Sequence, residues 1–190
     1  MGFMNQEQIN QMGFAQVGKN PRLSDKASYY NCRNIRIGDN VRIDDFCVLS
    51  AGDGGINIGS HVHIAVYASL IGSGNITASD FSGISSRVSI YSSNDDYSGS
   101  FLTGPTVPPE FTNVKHADVF IGQHVIIGAG SVVLPGAMLE DGVAIGALSL
   151  VTGRCEAFGI FSGVPAKRIK ERKRSLLEME ESFKAQRTER

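Results

Sequence analysis

Four histidines, the aspartate pair Asp95–Asp96 and three cysteines carry most of the chemistry that this 190-residue chain can offer. His61 and His63 flank a single valine, while His116 and His124 stand apart later in the chain. An unperturbed imidazole titrates at about 6.5, which suits it to proton abstraction at neutral pH. Asp95 and Asp96 are neighbours, and like-charge repulsion between two carboxylates can raise the pKa of one of them. With Tyr97, Arg87 and Tyr67 they make a set of hydrogen-bonding and stacking groups suited to a sugar. Cys32, Cys47 and Cys155 lie far apart with no CxxC pair, a pattern of free thiols in a reducing compartment rather than a disulfide framework.

The element that must position these groups is announced by a repeat. A large apolar residue recurs at every sixth position: Val17, Leu23, Tyr29; Ile37, Ile43, Leu49; Ile58, Ile64, Leu70; Ala78, Ile84, Ile90. After a break the series resumes as Ile121, Ile127, Val133, Leu139, Ile145, Val151, and glycine often follows the apolar residue. The fourth residue after it is small or β-branched, as at Val41, Cys47, Val62, Ala68, Val125 and Ser149. A period of six fits neither the helical 3.6 nor the simple alternation of one strand. It fits a short strand and a turn, repeated so that three hexapeptides close one triangular coil. Each aliphatic side chain then stacks on its counterpart one coil away, at roughly the 4.8 Å strand spacing. The ladder predicts an all-β fold, a parallel β-helix of about six coils spanning 17–166. In His61-Val62-His63 the valine takes the inward position, so both histidines face outward.

The register fails between Ile90 and Val119, which predicts an inserted loop over 91–118, and a long loop on a rigid solenoid is usually functional. From Lys167 the chain becomes strongly charged with helical spacing of Ile169, Leu176 and Leu177, predicting a C-terminal helix over 167–190 that covers the open end. Residues 1–16 are expected to cap the other end. The formal net charge of -1 argues against a nucleic-acid footprint. No apolar run approaches the ~20 residues that would span a bilayer and no secretory signal is visible, so the chain reads as cytoplasmic, without membrane insertion.

The isoleucine–glycine hexads, the loop beginning Ile90-Tyr91-Ser92-Ser93 and the segment Gly163-Val164-Pro165-Ala166-Lys167 are similar to the hexapeptide-repeat acetyltransferases. These include galactoside, maltose and polysaccharide O-acetyltransferases and xenobiotic acetyltransferases of the chloramphenicol type. The resemblance implies a left-handed coil, an exception to the right-handed crossover rule, and a homotrimer with active sites between subunits. It implies acetyl-CoA as donor, its pantetheine arm passing Gly128, Ala129, Gly146 and Ala147. Val164 and Pro165 would flank the adenine, and Lys167 and Arg168 would meet the phosphates, to which cationic side chains bind well.

Many members of that family carry a histidine in the loop as general base, and here Asp95 stands in its place. A sugar hydroxyl is a weak nucleophile until its proton is being removed, whereas an amine needs less help. Three readings stay open: Asp95 or Asp96 is the base; His61 or His63 reaches the cleft; or the acceptor is an amine or brings its own base. The sequence reading favours His63 as base with Asp95 positioning or activating, and Asp96, Tyr97, Arg87 and Tyr67 binding the acceptor. The expected function is acetyl transfer to a polysaccharide or nucleotide-linked sugar, with O-acetylation favoured. Sugar N-acetylation, xenobiotic acetylation and a non-catalytic oligomeric scaffold are the alternatives. A zinc hydratase on the same solenoid would need three converging histidines, and the spacing of His116 and His124 differs from the His-x4-His pair of such enzymes, so no metal site is expected.

Overall fold

The computed structural model of the chain describes residues 2–188. It is a left-handed parallel β-helix whose three faces are parallel sheets of seven, eight and six strands, the eight-stranded face ending in one antiparallel strand. Successive strands along the chain lie on different faces, so each face gains one strand per coil. The predicted ladder is the register itself. Leu23, Ile43, Ile64, Ile84, Ile127 and Ile145 stand opposite one another in one column. Leu49, Leu70, Ile90, Val133 and Val151 form a second column, and Ile37, Ile58, Ala78, Ile121 and Leu139 a third. Nearly all are fully buried, in one continuous core.

Corners are where such a coil is costly, because the chain must turn with φ positive. Asn20, Asn40, His61, Phe81, His124 and Phe158 take that conformation at one corner, and Phe46, Tyr67, Arg87 and Leu148 at another. Non-glycine residues pay for this with strain, and here neighbours on adjacent coils offset it. Phe81 stacks between His61 and His124 at centroid distances of 4.9 and 5.2 Å, and Tyr67 stacks on Phe46 at 5.1 Å. Side chains of the next coil also take the corner N–H groups: Asp39 Oδ1 accepts from Lys19 N, Asp80 Oδ1 from Ser60 N and Asp141 Oδ1 from Gln123 N, at 2.7 to 2.8 Å.

One inward position breaks this economy. Ser82 belongs to the small inward row between Val62 and Val125, is buried, and its hydroxyl has no partner among the described residues. An unsatisfied buried hydroxyl is destabilising, and valine already fits the same site one coil away in both directions. Ser82→Val is therefore expected to raise stability by about 1 kcal/mol, read as a higher denaturant midpoint at unchanged slope.

The coil count exceeds the expected six. Cys155 pairs with Leu139 and Phe161 with Ile145, and both are buried, so a seventh coil adds two more sides. It was hidden because Cys155 comes only four residues after Val151, and Phe161 replaces the usual aliphatic.

The two ends are finished differently. At the start, α1 (Gln6–Met12) is held by a capping box between Asn5 and Gln8, ends on Gly13 with φ 69, and buries Ile9 in the core. At the far end the expected helix over 167–190 is corrected. Lys167–Glu171 is a strand, antiparallel to Gly159–Ser162, and the helix α2 spans Leu176–Thr188. The last coil leaves a row of unpaired backbone groups, and returning to pair with them outweighs the helical spacing of the same residues. Nor does α2 cover the open end. It lies along a corner of earlier coils, with Phe183 edge-on to His61 and Phe81 and Glu180 2.7 Å from His124 Nε2. Arg172 fixes the connection, its guanidinium donating to the carbonyls of His124 and Gly142 at 2.7 and 2.9 Å.

Candidate active site

The loop leaves the fourth coil after Tyr91 and rejoins the solenoid at Val119. Its root is a short antiparallel ribbon in which Ser93 faces His116 and Asn94 faces Lys115. Alternation along a strand puts Ser93 and Asp95 on one side of the ribbon, together with His116. Those three residues line a cavity of about 730 Å³, whose other walls include Ile71 of the third coil and Pro105, Val107, Thr112 and Asn113 of the loop. The ribbon is anchored rather than free. Ser92 Oγ donates to Gly74 O at 2.7 Å, and Ser93 Oγ accepts from Ser73 N at 2.7 Å while lying 2.7 Å from His116 Nδ1. A polar floor with a carboxylate, under apolar loop walls, is the kind of concavity that binds small ligands.

Asp95 is thus the one expected catalytic residue in this cavity. The four residues expected to bind an acceptor do not line it. The Asp96 carboxylate accepts from the hydroxyl and N–H of Ser98 at 2.7 and 3.1 Å, and those bonds hold its pKa below the ordinary carboxylate range. Tyr97 is 86% exposed. Tyr67 and Arg87 sit on a coil corner, with the guanidinium 5.5 Å from the ring centroid.

His63 does not meet Asp95 within one protomer. It projects outward as expected, but its Nε2 is 2.9 Å from Asp44 Oδ2, while Arg42 Nε donates to Oδ1 at 2.7 Å. Burial works to raise the Asp44 pKa, and the hydrogen bonds with Arg42 and His63 more than offset it, so the carboxyl titrates below its usual value. His61 and His124 are built into the aromatic corner. Of the four histidines, His116 is the one that the loop cavity uses.

The expected donor track lies on the fifth and sixth coils. Ser85, Gly128, Gly146 and Ser162 each follow an inward residue of one face, and Ser85, Gly128 and Gly146 donate backbone N–H bonds to Ile127, Ile145 and Phe161 one coil on. They form one outward row, so Ser85 shares a track with the glycines, a relation that hexad spacing implied but composition did not single out. Gly128 has a structural reason to be glycine: a Cβ there would lie 2.4 Å from Ala147 N. Ala147 is exposed beside it. Ser149 Oγ donates to Gly146 O at 2.7 Å and accepts from Gly163 N at 3.1 Å, tying the exposed turn with Val164 and Pro165 to the sixth coil. Lys167 and Arg168 follow on the edge strand, where the Arg168 guanidinium pairs with Glu171.

Comparison with known proteins bears on the family and the fold. Residues 118–153 match the family described as bacterial transferase hexapeptide (six repeats). A dTDP-4-amino-4,6-dideoxy-D-glucose acyltransferase of Escherichia coli is 58% identical over 184 residues, covering 97% of this chain and 96% of that protein. The crystal structure of AntD, an N-acyltransferase from Bacillus cereus in complex with dTDP and 3-hydroxybutyryl-CoA, is 46% identical over 98% of both chains, with a TM-score of 0.93. A serine variant of AntD in complex with dTDP-4-amino-4,6-dideoxyglucose and coenzyme A matches at 45% identity, 97% and 98% coverage and a TM-score of 0.93. AntD has also been crystallised with an aspartate substituted ten residues after that serine.

Proposed function

The chain belongs to the hexapeptide-repeat acyltransferases, and from that membership we propose that it transfers an acyl group from acyl-coenzyme A to the amino group of a nucleotide-linked 4-amino-4,6-dideoxy sugar. The observation that carries the reading is the loop cavity, which Asp95 lines at the place where many family members carry a loop histidine, with His116 beside it tied to Ser93. Oxygen acylation, favoured by the sequence alone, gives way to nitrogen acylation for a chemical reason. A neutral amine attacks a thioester unaided, so a carboxylate that orients it and takes up its proton suffices. The relatives that act on amino sugars support the same choice.

In this mechanism the amine lone pair adds to the thioester carbonyl, the C–N bond forms, and the C–S bond breaks. The proton lost from nitrogen passes by way of Asp95, and coenzyme A leaves as the thiol. Charge develops on the carbonyl oxygen, and a hydroxyl aimed at that point lowers the barrier. We assign that donor to Ser85, which stands on the donor row and ten residues before Asp95. Ser86 and Asp96 have the same spacing, but Asp96 spends its carboxylate on Ser98, which favours the first pair. Gly128, Ala129, Gly146 and Ala147 line the pantetheine path, with Val164, Pro165, Lys167 and Arg168 at its nucleotide end. Homotrimeric assembly with sites between subunits completes the proposal. It is supported by Phe120, Ile126 and Met138, which expose about two fifths or more of their surface on the fifth and sixth coils, since such apolar patches mark interfaces.

The test is direct. Acetyl-CoA with the dTDP-linked 4-amino-4,6-dideoxyglucose should release free thiol and give an amide product by mass. Thiol release with the 4-hydroxy counterpart and none with the amine would overturn nitrogen acylation.

A further inference from the structure

We infer that His116 is an acceptor-binding residue, its Nδ1 engaged by Ser93 and its Nε2–H donating a hydrogen bond to an oxygen of the nucleotide sugar. The inference rests on the acceptor reading above and adds a residue to it.

The ring orientation follows from the hydrogen-bond chain at the loop root. Ser93 Oγ already accepts the N–H of Ser73 at 2.7 Å, so its own proton is available to give away. His116 Nδ1 lies 2.7 Å from the same oxygen. A neutral imidazole has one donor and one acceptor nitrogen. Taking the Ser93 hydroxyl as the donor makes Nδ1 the acceptor and puts the ring proton on Nε2. Ser73 is a corner of the third coil, so the chain of bonds runs from rigid solenoid to hydroxyl to ring and fixes the ring orientation. That arrangement leaves Nε2 as the ring nitrogen that can donate to a ligand.

The consequence concerns recognition. The cavity presents a carboxylate acceptor at Asp95 and an N–H donor at His116 on the same side of one ribbon. Asp95 matches the N–H of the sugar amine, and His116 matches an oxygen, either a sugar hydroxyl or a diphosphate oxygen. Two-point pairing of opposite polarity selects an acceptor bearing both groups, since either one missing leaves a cavity group unpaired.

The experiment measures His116→Ala and His116→Gln in the full chain, the glutamine amide standing in for the Nε2–H. For His116→Ala the acceptor KM should rise roughly tenfold, with kcat changed less than about threefold, acyl-CoA affinity unchanged and the pH profile of kcat/KM unmoved. His116→Gln should recover most of the KM. Inhibition by dTDP separates the two oxygen sources: an unchanged inhibition constant assigns the bond to the sugar, and a parallel rise assigns it to the diphosphate. An acceptor KM at the wild-type value in both folded variants would overturn the inference, as would a loss in kcat with a displaced pH profile. Absence of wild-type turnover on the amino sugar would instead remove the acceptor reading itself, whatever the variants do.

Discussion

Asp95→Asn is expected to lower turnover on the amino-sugar acceptor by about 10²-fold or more, with acyl-CoA affinity unchanged. Asparagine keeps the shape and one acceptor oxygen but cannot hold the proton that leaves the attacking nitrogen. The loss should therefore fall on kcat, and it should shrink at higher pH, where hydroxide can take that proton in place of the carboxylate. Two controls give the result its meaning. Asp96→Asn should stay near wild type because its carboxylate serves the turn at Ser98. His63→Ala should also cost little, because that ring is paired with Asp44 on a coil face and shares no cavity with Asp95 in the protomer. The reverse pattern, a hundredfold loss in His63→Ala with Asp95→Asn active, would return the proton to His63 and place it in the cleft from a neighbouring subunit.

Ala147→Phe should abolish measurable acyl-CoA binding, a loss of roughly a hundredfold or more in affinity, while leaving thermal unfolding close to wild type. The physical basis is a difference between two adjacent small residues. Gly128 is small because the next coil leaves no room, a Cβ meeting Ala147 N at 2.4 Å, so enlarging it would break coil stacking. Ala147 lies at an exposed turn, so a phenyl ring there leaves the core intact and fills the space that the proposal assigns to pantetheine. Titration with acyl-CoA by calorimetry, next to a melting curve, separates the two effects. A folded Ala147→Phe protein that binds the donor with wild-type affinity would move the donor track elsewhere.

The solenoid was legible because its determinant is a local rule repeated many times, and its left hand followed from the family resemblance. Each hexad specifies its own strand, corner and inward side chain, and stacking like upon like needs no information from distant sequence. The columns read from Val17 to Val151 coincide with the pairing register for that reason. Asp95 could also be singled out, since it occupies a position that the resemblance made meaningful.

What the sequence left undetermined depended on contacts without a period. Ser93 meets His116 across 23 residues of loop that carry no register, so only the closed ribbon shows that they share a cavity with Asp95. Asp96 and Tyr97 adjoin Asp95 in sequence, yet one carboxylate is consumed by its own turn and the ring is left exposed. The spacing of Lys167–Glu171 suits a helix, but the backbone groups left unpaired by the last coil were stronger than local propensity and made it a strand. Repetition let the sequence alone determine the solenoid. The polar chemistry inside the loop waited for tertiary structure, because hydrogen-bond partners there are chosen by geometry across the chain and not by spacing along it.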